Sequence, residues 1–229
     1  MYQKVKRMTK TMRIFHWINA FSILAAVITG FYIGHPYYQT LISEPAAYKY
    51  VMAYNRLIHF FAALLLDVIS IAIFYLYFAS RFEKPIKKLI PNRQNIKEFW
   101  EVFLNLITLN RRKNFDSSHL DSFNAVYFTI LHLLLVWMLL TGFYMYVQAF
   151  ASGLSSIGSW WPALLHLATD WVGWLLGGHA GVRWWHHFTM WIILAWVAFH
   201  IYYQVWRTIF WKEGDMNIVF GGYKFKKVK

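Results

Sequence analysis

Residues 183–206 read RWWHHFTMWIILAWVAFHIYYQVW. The stretch is apolar and long enough to cross a bilayer, because about 20 residues at 1.5 Å each cover the hydrocarbon core. Yet it carries His186 and His187 near one end and His200 near the other. His186 and His200 are fourteen residues apart. That is about 40° short of four full turns, so both imidazoles leave one helix face about 21 Å apart, one near each membrane surface. Ionisable groups in a spanning helix are costly and mark functional sites by default. Two neutral imidazoles at opposite depths of one stripe read as ligands for two separate metal centres.

Working outward, the composition fits this reading. The 229-residue chain is 59% hydrophobic and 21% aromatic, with only 14% charged residues, against about 25% in soluble domains. Cys is absent, which excludes disulfides, thiolate zinc, iron–sulfur clusters and c-type haem attachment. A redox centre must therefore be held by His or Met, or lie on another subunit. The N-terminus is basic and then apolar, like a signal peptide. Its apolar part contains His16 and Asn19 and lacks a small-x-small cleavage pattern, so a retained first span is expected.

Four segments are long and apolar enough to span: about 14–34, 52–79, 123–150 and 184–206. Helix is the form expected for them, since lipid cannot satisfy backbone polar groups. The expected fold is an all-α integral membrane four-helix bundle with short interfacial helices, forming one transmembrane domain over residues 1–229. Lys4, Lys6, Arg7, Lys10 and Arg13, the basic connection 81–113 and the tail from Arg207 leave only Lys49, Arg56 and Arg183 elsewhere. Both termini are thus expected in the cytoplasm, and the +13 charge reads as a topology signal rather than a nucleic-acid footprint.

Two connections have patterns of their own. Ile96, Phe99, Trp100, Phe103, Leu104 and Ile107 fall at helical spacing opposite Lys97, Glu98, Glu101 and Asn105, predicting a helix on the membrane surface. The outer connection 151–182 holds Trp160, Trp161, Trp171 and Trp174, with few charges and the pair Gly177–Gly178. It predicts a Trp-anchored interfacial helix ending at the glycines, and a docking surface.

Depth pairs His59, at the outer start of the second span, with His186. It pairs His16, at the inner start of the first span, with His200. Bis-imidazole ligation at two levels of a helix bundle is what a di-haem b-type cytochrome requires. Arg13, Arg56 and Arg183 each precede a ligand by three residues, repeating Arg-x-x-His, where they can meet haem propionates. Gly30 follows His16 by fourteen residues, and Thr29-Gly30-Phe31-Tyr32 recurs as Thr141-Gly142-Phe143-Tyr144. Glycine on these stripes lets a flat macrocycle approach the helix closely. His132 reads as a packing residue, and His35, His166 and His179 as solvated or interfacial.

Arg13-Ile-Phe-His16-Trp17, Thr29-Gly30-Phe31-Tyr32-Ile33-Gly34, Arg56-Leu-Ile-His59-Phe60 and Trp185-His186…Met190-Trp191…His200 together resemble the b-type cytochrome subunit of membrane-bound NiFe uptake hydrogenases. That subunit is related to the cytochrome b of formate dehydrogenase, and the resemblance covers nearly the whole chain. It implies two haems b in the inner membrane and a periplasmic partner of small and large hydrogenase subunits. It implies electrons passing from the small subunit to the outer haem, the inner haem and a quinone, menaquinone or ubiquinone. It also selects His186 over His187, because Met190 and Trp191 follow at the family's offsets. The chain departs from the family at Ser118-His119-Leu120-Asp121, which keeps His119 but lacks the usual Asn and Pro. His119 and Asn124 remain candidate quinone contacts at the cytoplasmic mouth of the third span. Asp67, in mid-span, has no counterpart in the resemblance. No catalytic residue for hydrogen itself is expected. The competing readings are a cytochrome serving formate dehydrogenase or thiosulfate reductase, and a haem-free His-lined metal or proton transporter, which the scarcity of polar residues in the spans disfavours.

Overall fold

The structure, a computed structural model, describes residues 2–37, 50–79, 91–110, 115, 117–148, 158–211 and 216–227. Among these the chain forms β1 (Tyr2–Lys6), α1 (Lys10–Gly34), α2 (Val51–Ala79), α3 (Arg93–Ile107), α4 (Ser117–Val147), α5 (Trp160–Leu176), α6 (His179–Ile209), α7 (Met216–Gly221) and β2 (Tyr223–Lys227). The all-α membrane fold expected from the sequence is the one found. Four helices, α1, α2, α4 and α6, are long and apolar enough to cross a membrane. Lys49, the basic residues from Arg81 to Lys88 and from Arg111 to Lys113, and Phe150 lie outside the described residues.

On α2, Leu57, Phe61, Leu64, Val68, Ile71 and Tyr75 are all exposed and recur every three or four residues. An outward apolar stripe of this kind suits a helix whose solvent is lipid, where burial of apolar area gives no preference for the interior. Helix ends are fixed by local chemistry. The Thr9 side chain accepts from the Met12 N–H at 3.2 Å and starts α1. Asn92 and Asn95 cap α3 reciprocally, satisfying orphan first-turn donors. Gly177, with φ 79°, ends α5 where the sequence placed the stop.

The chain divides into two compact units, Met1–Ile130 with Val197–Lys229, and Leu131–Trp196. In the first, α1 packs along α2, and α3 packs on α4 and α6. Phe99 stacks on Phe123 at 5.0 Å, Phe103 meets Phe199 at 5.3 Å, and Tyr202 donates to the Leu106 carbonyl at 2.8 Å. The buried face of α3 is Phe99, Val102 and Leu106 together with Glu98 and Asn105, while Ile96, Trp100, Leu104 and Ile107 are exposed. The expected polar face is therefore partly inside. Glu98 tolerates burial by accepting from Gln94 at 2.6 Å. In the second unit, Tyr144, Val172 and Val182 form a core flanked by Trp137, Leu140, Met145 and Leu176.

The basic ends hold an element the sequence reading does not anticipate. β1 and β2 pair antiparallel, with Tyr2 opposite Lys227 and Lys6 opposite Tyr223. Lys4 lies 4.1 Å from the centre of the Tyr223 ring, offsetting like-charge repulsion by cation–π attraction. The connection is closed by Arg7 and Met8 N–H groups donating to the Gly222 carbonyl at 2.8 and 3.2 Å.

Candidate haem sites

In the first unit, α1 and α6 bring His16 and His200 together, with ring centroids 6.4 Å apart and planes at 45°. Both side chains are half-buried among aromatics. Trp17 stands edge-on to His16 at 5.6 Å, while Tyr127 and Phe128 of α4 approach His200 at 5.8 and 6.4 Å. Metal–imidazole bonds of about 2 Å on each side, plus about 1 Å from each nitrogen to its ring centre, span about 6 Å. The observed separation fits two imidazoles sharing one iron. His16 Nδ1 and Asn19 Oδ1, one turn apart on α1, are buried without hydrogen-bond partners. Among the described residues no group of three or more His, Asp or Glu could hold a bare metal ion. Two axial nitrogens suffice for a haem iron, whose other ligands belong to the porphyrin.

Arg13 sits one turn before His16, and its guanidinium donates to the Phe220 carbonyl. Trp17 donates to Val219 O at 3.1 Å. The C-terminal segment is thereby tied to the turn of α1 that carries His16. Arg13 Nε is buried without a partner, which leaves the guanidinium with donor capacity beyond Phe220.

His59 lies half-buried on α2, and its Nδ1 is 3.0 Å from the Ala26 carbonyl and 3.1 Å from Thr29 Oγ1, both on α1. In the second unit, His186 of α6 places Nδ1 2.8 Å from Thr141 Oγ1 of α4. A Cβ built on Gly142 would lie 3.6 Å from His186 Cε1, an ordinary contact. Thr29 and Thr141 are 4% and 0% exposed. His59 and His186 are thus each held by the threonine of one copy of the Thr-Gly-Phe-Tyr repeat. The repeat is visible in the sequence, where only its glycine attracts notice.

Of the remaining expected residues, Gly30 is buried, Arg56 and Arg183 are exposed, and Asn124 is half-buried on α4. His119 lies on α4, with its side chain outside the described ones. Asp67 is half-buried in α2. His166 pairs with Asp170 at 2.9 Å on exposed α5 surface.

Three relatives carry the name "Probable Ni/Fe-hydrogenase B-type cytochrome subunit", the one from Escherichia coli K12 with the numeral 1 after "hydrogenase". The relative from Cupriavidus necator is 28% identical over 93% of this chain and 84% of its own length. That from Rhizobium leguminosarum bv. viciae is 30% identical over 94% and 87%, and that from Escherichia coli K12 is 26% identical over 94% and 88%. Residues 7–222 match the family described as prokaryotic cytochrome b561, a range that holds all four candidate spans and His16, His59, His186 and His200. The chain is a multi-pass membrane protein and belongs to the prokaryotic cytochrome b561 family.

Proposed function

We propose that the chain is the electron-transfer subunit linking a periplasmic NiFe hydrogenase to the quinone pool of the inner membrane. It holds two haems b, one on His16 with His200 and one on His59 with His186, within a single transmembrane domain. The observation that carries this reading is the 6.4 Å approach of the His16 and His200 rings across α1 and α6. The names of the relatives supply the hydrogenase partner. Haem b, when bound, supplies a one-electron redox centre and no bond-making chemistry of its own.

The chain's own residues do the rest. His16 and His200 present nitrogen lone pairs from facing helices, and Trp17, Tyr127 and Phe128 exclude water around them. Arg13, Arg56 and Arg183 offer planar cationic forks to propionates. Gly30 and Gly142 leave room for a flat macrocycle. Trp160, Trp171 and Trp174 of α5 present a weakly charged aromatic face to the hydrogenase small subunit. His119 and Asn124 hydrogen-bond the quinone, with His119 moving a proton from the cytoplasm.

A pyridine haemochrome assay on the purified chain is expected to give two haems b per polypeptide. His200→Ala is expected to leave one, with the remaining spectrum that of the outer haem. A stoichiometry of one in the intact protein, or two in His200→Ala, would refute the assignment.

A further inference from the structure

Resting on that assignment of His59 and His186 as haem ligands, we infer that Thr29 and Thr141 are positioning residues that set the tautomer of the two outer imidazoles. A threonine hydroxyl has one proton to donate and two lone pairs to accept with. Thr29 Oγ1 is 2.6 Å from the Ala25 carbonyl, four residues back on α1. Thr141 Oγ1 is 2.8 Å from the Trp137 carbonyl, four residues back on α4. Carbonyl oxygens only accept, so each hydroxyl proton is committed to its own helix. What each hydroxyl offers the histidine is a lone pair, and the Nδ1 facing it at 3.1 or 2.8 Å must be the donor. At His59 a second, independent constraint agrees. Nδ1 also faces the Ala26 carbonyl at 3.0 Å, and that oxygen cannot donate. The N–H of each imidazole therefore sits on Nδ1 and the lone pair on Nε2.

The consequence is directional. A ligating histidine whose N–H is hydrogen-bonded is held in one ring orientation and is made more basic toward the metal. A more basic axial ligand favours the oxidised iron. His16, by contrast, has a buried Nδ1 without a partner. The outer centre is thereby biased to a lower potential than it would have without the threonines, which favours electron flow from outer to inner level. Neither hydroxyl serves its helix alone. Side-chain bonding to the carbonyl four residues back is slightly destabilising, and a buried hydroxyl carries a desolvation cost.

The test uses the full chain purified in detergent, with Thr29→Val, Thr141→Val and the corresponding Thr→Ser variants. Haem is counted by pyridine haemochrome, midpoints by optical redox titration, and ferric ligand fields by electron paramagnetic resonance. Expected is an upward shift of the outer midpoint and a changed outer ferric signal, larger in Thr141→Val than in Thr29→Val, where the Ala26 carbonyl still accepts from His59 Nδ1, with two haems retained and the Ser variants restored to wild type. Two haems with unchanged midpoint and signal in both Val variants would overturn the inference. Should a Val variant lose the outer haem, its Ser counterpart decides: retention supports the hydroxyl's role, and loss in both overturns it. His59→Ala retaining both haems would remove the ligand assignment itself, a failure distinct from any threonine result.

Discussion

Gly222 joins α7 to β2 and is where the two ends of the chain are locked together. Its φ of +82° is open to glycine but costs a residue with a Cβ about 1–2 kcal/mol. A Cβ there would also lie 2.7 Å from the Met8 carbonyl oxygen, well inside contact distance. Because that atom is backbone, no rotamer change relieves the overlap, and the shift costs about 1–3 kcal/mol more. Against this, alanine restricts the unfolded chain, a gain of about 0.4–1 kcal/mol. Gly222→Ala should therefore destabilise the terminal clasp by about 1–5 kcal/mol net. Met8 and Arg7 would lose the Gly222 carbonyl, and with it go the Phe220 and Val219 carbonyls that hold Arg13 and Trp17 beside His16. Gly221 is the built-in control, since a Cβ there meets nothing within 4 Å. The assay is thermal loss of haem absorbance, read separately for the two haems in purified protein. In Gly222→Ala the haem proposed for His16 and His200 should bleach several degrees earlier, with the one proposed for His59 and His186 unchanged, while Gly221→Ala should match wild type. Equal behaviour of the two variants would refute the reasoning.

Three further outcomes are expected. Trp171→Ala with Trp174→Ala, on an α5 face where Trp174 is 87% exposed, should weaken co-purification with a hydrogenase small subunit without bleaching haem; undiminished capture would make this face a lipid anchor only. His119→Ala should abolish hydrogen-driven reduction of a quinone analogue in membranes while the haems still reduce, and unchanged turnover in both His119→Ala and Asn124→Ala would remove these two contacts. Gly173→Ala would drive a Cβ into the Tyr144 ring, an overpacking cost of about 1–3 kcal/mol; a lowered melting temperature, relieved in part by adding Tyr144→Leu, is the expected result.

Much of this architecture is legible in the sequence because its causes are local. Apolar length makes α1, α2, α4 and α6, and Gly177 ends α5. Helical period puts His16 and His200 where facing helices can bring them together. What escapes the sequence depends on rotation about a helix axis or on partners far along the chain. Glu98 and Asn105 occupy the polar face of α3 by pattern, yet face the interior because α3 is covered on that side by Phe123, Phe199 and Tyr202. Thr29 and Thr141 look like ordinary helix threonines until His59 and His186 are seen against them. Arg13 stands by sequence spacing where a propionate partner would suit, and the Phe220 carbonyl that holds it lies 207 residues away.

The same distant pairing bears on topology by a route independent of charge. β1 lies beside β2, so the two ends of the chain emerge on one side of whatever the helices cross. Only an even number of crossings allows that, and the four apolar helices found among the described residues satisfy it. The strands carry Lys4, Lys6, Lys224, Lys226 and Lys227, and lysine next to a span is retained on the cytoplasmic side. Parity and charge thus support the proposed orientation from different physics: strand hydrogen bonding joins the two ends, and lysine favours the cytoplasmic side for them. In that orientation His16 and His200 would lie toward the cytoplasm, from which the proposed quinone reduction would draw its protons. On the proposal above, His59 and His186 would be the ligands on the periplasmic side, the side proposed for the hydrogenase. Protease accessibility of a C-terminal tag in right-side-out and inverted vesicles tests this directly. Cleavage in inverted vesicles alone is expected, and cleavage in right-side-out vesicles would reverse the assignment of both haem levels.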